Sequence, residues 1–145
     1  MEFDRTINKA VEINAPVSKV WDALTNPELI KLWLWEDSLI VTSDWKVGSP
    51  IIFSGKYNGV SYEDKGTILK FEKEKVFQYN YWGKLSSLAD MPENYTVIEF
   101  TLIPQGNKTI LTLVQSNFVT EVSYAHWNFY WVVTLDVLRK LLEKV

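Results

Sequence analysis

Cysteine is absent from the 145 residues, and histidine occurs once, as His126. The first absence excludes a disulfide framework, a zinc-thiolate site and a cysteine nucleophile together. The second leaves a transition-metal site without its commonest ligands. Charge of one sign is lacking too. Fifteen basic and 18 acidic side chains are mixed along the chain for a net charge of -3. No basic block is available to neutralise phosphates, so nucleic acid is not an expected partner. Long apolar runs are missing as well: the richest stretch, Phe129 to Leu138, contains Thr134 and Asp136 and is too short to span a bilayer. Met1 to Asn14 alternates charged and apolar residues and carries no apolar core of a signal peptide. A cytoplasmic protein with no membrane span is therefore expected. The chain has no serine elbow, phosphate loop, metal-binding helix motif or dinucleotide fingerprint, so neither a cofactor nor a metal is expected.

What is abundant is aromatic surface. Trp, Tyr and Phe occur seven times each, 14% of a chain that is 47% hydrophobic. Such rings fill cores, and they also line ligand pockets, because each presents a wide rigid surface at little conformational cost.

The N-terminal residues Thr6 to Ile13 alternate and read as a strand. Ala15-Pro16 ends it, and Pro16 suits a first helical turn, with Val17, Val20, Trp21 and Leu24 following at helical spacing. Asn26-Pro27 repeats the signal as N-cap plus proline, and Leu29, Ile30, Leu32 and Trp33 predict a second short helix. The period then changes to two, predicting strands near Leu39–Thr42, Ile51–Tyr57, Tyr62–Phe71, Val76–Trp82, Tyr95–Ile103 and Thr109–Asn117. Asn58-Gly59 and Gln105-Gly106-Asn107 are the hairpin turns. With no helix between these strands, an antiparallel meander is expected rather than a parallel sheet. From Val122 to Lys144 one amphipathic helix places Tyr124, Trp127, Trp131, Leu135, Leu138, Leu142 and Val145 on a stripe, with Asp136, Arg139, Lys140 and Glu143 opposite. No repeat or linker interrupts the chain, so residues 1–145 are read as one domain.

The order of strand, two short helices, meander and long terminal helix resembles the helix-grip arrangement of the START-like (SRPBCC) superfamily, shared with the birch pollen allergens and polyketide cyclases. Ile13 to Trp33, INAPVSKVWDALTNPELIKLW, is more specific. It resembles the opening of the heat-shock protein 90 ATPase activator homologue-like family: a small residue and Pro lead into a helix with Val-Trp, then an Asn-Pro-Glu turn, then a helix ending in Trp. Gly48, Phe53 and Gly66-Thr67-Ile68 extend the similarity. Two features depart from the pattern. Leu34 separates Trp33 from Trp35 where members often pair tryptophans, and only Gly48 remains of a glycine-rich approach to the third strand. Gly83 to Asn94 is longer than a tight turn and reads either as a lid or as a loose loop.

The resemblance implies an α+β helix-grip fold, a curved antiparallel sheet of six to seven strands around the terminal helix, with a cavity between them. Alternation assigns Ile51, Phe53, Tyr62, Asp64, Ile68, Phe77, Tyr79, Tyr81, Leu111, Leu113 and Gln115 to its inner face, opposite Trp127 and Trp131. The candidate ligand-binding residues are Phe53, Tyr62, Asp64, Phe77, Tyr79, Tyr81, Leu113, Gln115, Trp127 and Trp131. The polar groups among them need partners, which are each other, water or a ligand. Asp64 is the one weak catalytic candidate, weighed against a rim carboxylate paired with Lys56 or Lys65. His126 has no carboxylate at a useful spacing. Trp33, Trp35 and Trp45 are expected either to pack the second helix against the sheet or to form part of the cavity mouth, with at least one of them partly exposed.

Three functions follow as expectations: a small hydrophobic ligand, lipid-like or aromatic, bound in a pocket of several hundred Å³, the usual size of ligand sites; a chaperone partner, implied by the family resemblance alone; or a cyclase or hydrolase using Asp64 or a tyrosine. The sequence is compatible with a homodimer through an exposed strand or the tryptophan region and does not decide it.

Overall fold

The computed structural model describes residues 5–34 and 38–144. Strand β1 (Ile7–Ile13) leads into helices α1 (Val17–Thr25) and α2 (Pro27–Trp33). Strands β2 (Ile40–Ser43), β3 (Pro50–Tyr57), β4 (Val60–Glu72), β5 (Val76–Tyr81), β6 (Thr96–Gln105) and β7 (Lys108–Ser116) follow, and helix α3 (Glu121–Glu143) closes the chain. All neighbouring strands pair antiparallel in the order β1-β7-β6-β5-β4-β3-β2, an open seven-stranded sheet with β1 and β2 at its edges. This is the α+β helix-grip architecture.

Local chemistry explains the joints. Asn26 caps α2 by accepting Glu28 N–H at 3.0 Å, with Pro27 at the first helical position where an N–H has no use. Pro16 is displaced one position from the expected place: it is the N-cap of α1, and its carbonyl accepts from Lys19 and Val20. Thr120 caps α3 by accepting from Ser123 N–H at 3.1 Å. At the other end Lys19 Nζ donates to the Leu142 carbonyl and Asn14 N–H to Glu143, tying the last turn of α3 to the β1–α1 corner.

Asn58 (φ 50°) and Gly59 (φ 79°) both occupy the left-handed region, as the two-residue β3–β4 turn demands. Gly66 answers to a different constraint. A Cβ there would lie 1.6 Å from the Asn80 carbonyl oxygen, so only glycine allows β4 to approach β5 this closely. Asn80 uses the approach, accepting from Thr67 N–H with its side-chain oxygen at 2.6 Å. A register shift between Ile68 and Lys70 follows, a bulge that leaves Leu69 unpaired.

The inner face of the sheet carries Ile51, Phe53, Tyr62, Ile68, Phe77, Tyr79, Ile98, Phe100, Leu102, Leu111, Leu113 and Gln115, all buried. Against it α3 sets Trp131, Leu135, Leu138 and Leu142. Burying each large apolar side chain contributes about 1.5–3 kcal/mol. Val145, the expected end of the helical stripe, lies outside the described residues. Trp33 packs as expected, buried, with its indole N–H donating to the Ala23 carbonyl at 2.9 Å and its ring edge-on to Phe100. Trp45 is half-buried against Phe71 and Phe77. Trp35 lies outside the described residues.

Candidate functional site

A row of aromatic rings runs along the inner face, and its two ends differ. At one end Phe77 is enclosed by Trp21, Trp45 and Phe71, with ring centroids 5.7 to 6.5 Å apart. Helix α1 brings Trp21 onto this end, and nothing polar interrupts the contact. The row continues through Tyr79, 5.0 Å from Phe77, to Phe53, 5.8 Å from both Tyr79 and Tyr81. At the far end Tyr81 meets Trp127 of α3 edge to face at 5.4 Å, and Trp127 stacks on Trp131 at 6.0 Å.

Around that far end the packing opens into a cavity of about 70 Å³. Strands β3, β4 and β5 supply Phe53, Tyr62, Asp64, Tyr79 and Tyr81; α3 supplies Trp127, Tyr130 and Trp131; and Leu34, Leu39 and Ile98 complete the wall. The cavity is smaller than the several hundred Å³ expected, because the rings meant to line it also pack on one another. It has room for a small head group or a few waters.

Seven of the ten candidate ligand-binding residues are brought together here: Phe53, Tyr62, Asp64, Tyr79, Tyr81, Trp127 and Trp131. Three are not. Phe77 belongs to the closed end of the row, under Trp21 and Trp45. Leu113 is fully buried core on β7, beside Phe100 of β6. Gln115 is buried with both ends of its amide in use: Oε1 accepts from Trp131 Nε1 at 2.7 Å, and Nε2 donates to Thr96 at 3.1 Å. Indole N–H only donates, which fixes the amide's orientation. Gln115 holds Trp131 in place and is not among the residues that line the cavity.

Asp64 is the charged group of the lining. Tyr81 donates its phenol to one carboxylate oxygen, and Lys84 N–H donates to the other at 3.0 Å. The expected lysine partner is absent: Lys65 turns away to Asp90 at 2.6 Å, and among the described residues no ion pair involves Asp64. Burial pushes the Asp64 carboxyl above its ordinary range, opposed by the hydrogen bonds from Tyr81 and Lys84. Burial likewise raises the Tyr81 phenol, helped by the neighbouring carboxylate, and raises Tyr79. Both phenols therefore remain protonated donors at neutral pH. The Tyr62 hydroxyl is buried and has no hydrogen-bond partner among the described residues; its ring lies over Gly55, where a Cβ would come within 2.9 Å of that oxygen.

The segment from Gly83 to Asn94 is pinned rather than loose. Two short 3-10 turns, Lys84–Ser86 and Pro92–Asn94, form it. Trp82 donates to the Leu88 carbonyl at 3.1 Å, Tyr95 to Asp90 at 2.5 Å and Asn94 to the Ala89 carbonyl at 2.8 Å. Its first turn carries the N–H that binds Asp64, so the segment forms part of the site's frame. His126 sits exposed on α3 with its ring beside Trp127 and Tyr130.

Sequence reasoning missed Leu34, Leu39, Ile98 and Tyr130 as cavity walls. Ile98 was within reach, since it pairs across the sheet with Tyr79. Tyr130 is one helical turn from Trp127, a spacing that places both on adjoining faces.

Among the described residues no group of three or more His, Asp or Glu is placed to hold a metal, and no helix is long and apolar enough to cross a membrane.

The fold has clear relatives. A protein from Cytophaga hutchinsonii, solved in solution, superposes with a TM-score of 0.84 at 40% identity, covering 99% of this chain and 97% of the other. The Aha1 dimer from Colwellia psychrerythraea gives 0.75 at 28% identity, with 97% of each chain covered. CalU16 from Micromonospora echinospora, at 23% identity, shares the fold with a TM-score of 0.72 over 95% of this chain and 74% of its own. A search of curated proteins finds no match. The family described as "Activator of Hsp90 ATPase homolog 1-like protein" matches residues 14–143, nearly the whole helix-grip framework, and the chain belongs to that family.

Proposed function

We propose that the protein binds a small, largely aromatic molecule whose head group enters the cavity between β3–β5 and α3. The observation that carries this reading is the combination, in a cavity walled by aromatic rings, of a buried hydroxyl, Tyr62 Oη, with no hydrogen-bond partner among the described residues and a carboxylate, Asp64, with no charged partner among them. A core built only for stability gains nothing by burying an unsatisfied hydroxyl, which costs about 1–3 kcal/mol. A ligand with a hydrogen-bonding head group recovers that cost. Of the two ligand types expected, the aromatic one suits about 70 Å³ better than an acyl chain, which needs far more length.

The test is native mass spectrometry of freshly purified protein, followed by tryptophan-fluorescence titration with an aromatic and lipid panel. Saturable quenching that is lost in Trp127→Ala supports the reading. An empty protein whose fluorescence responds to no compound contradicts it.

A second reading, contact with a protein, is favoured by the outer face of α3, where Val122 is 80% exposed, Phe129 72% and Val132 55%. Exposed apolar residues in a row mark interaction surfaces. The family description suggests a chaperone as the partner, and the Colwellia relative is a dimer. Sedimentation of the wild type and Phe129→Ser, alone and with a chaperone of the heat-shock 90 class, decides between these: a loss of dimer or complex in the variant supports the surface, and an unchanged monomer in every mixture removes it.

A further inference from the structure

We infer that the cavity selects a positively charged head group, an organic ammonium seated among the rings of Phe53, Tyr79, Tyr81 and Trp127 with Asp64 as its counter-ion. The inference rests on the ligand-binding reading above and adds the chemistry of the ligand.

The charge balance of the lining points this way. Among the described residues the cavity wall includes one carboxylate and no lysine, arginine or histidine. The donors that Asp64 has, the Tyr81 phenol and the Lys84 backbone N–H, are neutral. The neighbouring lysine on the same strand is committed to Asp90. A neutral apolar ligand entering here would strip the remaining water from a carboxylate and return nothing, whereas a cation supplies the missing opposite charge.

The rings point to the same class. An ammonium group is attracted to the electron-rich faces of Trp, Tyr and Phe, and more strongly where water is excluded. The Tyr81 and Trp127 planes stand at 83°, and those of Phe53 and Tyr81 at 62°, so the rings turn toward one another as walls rather than lying as a flat stack. Two of the chain's own cations lie over other rings: Arg5 over Tyr124 and Lys65 over Trp82, neither of which lines the cavity. Tyr62 Oη adds a buried acceptor for an N–H of the head group. The volume, about 70 Å³, suits a head group with the rest of the molecule lying toward the mouth.

Three probes of one shape test this at fixed ionic strength: phenethylammonium, 2-phenylethanol and 3-phenylpropanoate, each titrated by calorimetry and tryptophan fluorescence into wild type and Asp64→Asn. The expected order is ammonium, then alcohol, then carboxylate, with the ammonium binding at least about tenfold tighter than the alcohol, a difference of about 1.4 kcal/mol. In Asp64→Asn that preference should vanish while alcohol binding persists, which also shows the variant to be folded. Alcohol or carboxylate binding as tightly as the ammonium overturns the cationic inference and leaves the cavity reading intact. If none of the three binds but another aromatic of the wider panel does, the cationic inference alone falls. Silence from the wider panel as well removes both.

Discussion

Two ends of one aromatic row, both set by alternate positions of β5, behave differently. Phe77 is closed in by Trp21, Phe71 and Trp45, and its end is solid core. Four residues on, Tyr81 faces Asp64 and Trp127, and the packing stops short of filling the space. Aromatic content alone therefore does not make a pocket. The difference lies in what each ring is given to do: a phenyl ring can be covered on every side, but phenols and a carboxylate must keep partners, and the chain supplies too few of them.

The largest expected effect breaks the solid end. Phe77→Ala removes a ring buried among five others and should cost about 3–5 kcal/mol in chemical denaturation, with no selective effect on cavity ligands. Next comes the brace between the ends. Trp131→Phe removes the indole donor and leaves Gln115 Oε1 buried without a partner, a loss of about 1–3 kcal/mol; Trp131→Phe combined with Gln115→Leu should recover part of it.

At the open end the effects are smaller and depend on pH. Burial raises the Asp64 pKa in the folded state, so the folded chain holds that proton more tightly than the unfolded chain does. The stability this contributes is fully present below the ordinary value of 3.8 and is lost as pH rises through the raised folded value. Asp64→Asn does not titrate, so its melting temperature relative to wild type should rise as the pH is raised from the ordinary value of 3.8 through the raised folded value. A difference that stays constant with pH would place Asp64 in a solvated setting. Opposite in sign to these losses, Tyr62→Phe removes a buried hydroxyl that has no partner among the described residues and should stabilise the folded chain by up to about 1–3 kcal/mol, the cost of burying it unsatisfied. A clear destabilisation would mean that the hydroxyl has a partner, such as a fixed water.

The framework was legible because its signals are local. The Asn26-Pro27 cap, the Asn58-Gly59 turn and the alternation along β3 to β7 each act within a few residues, and they set strand phase correctly, so Phe53, Tyr79, Leu111 and Gln115 all point inward. The site was legible only in part, because what an inward residue does depends on elements far away in sequence. Whether Phe77 is wall or core is decided by α1, some fifty residues earlier, and by Trp45, held with a positive φ of 57° beside β3. Gln115 is drawn to Trp131 of α3, and Asp64 loses its expected partner Lys65 to Asp90 in the segment after β5. The close approach at Gly66 was marked in the sequence by the glycine alone, with no sign that Asn80 was the strand it met.

The most direct test of the account is a map of where a ligand lands. In two-dimensional NMR of the labelled protein, titrated with a panel of small aromatic molecules, the account predicts saturable shifts at the Trp127 and Trp131 indoles and at the Asp64 and Lys84 amides, with Phe77 and Trp21 undisturbed. Shifts confined to the outer face of α3 around Val122 and Phe129, or shifts at no residue of the cavity with any compound, would contradict it.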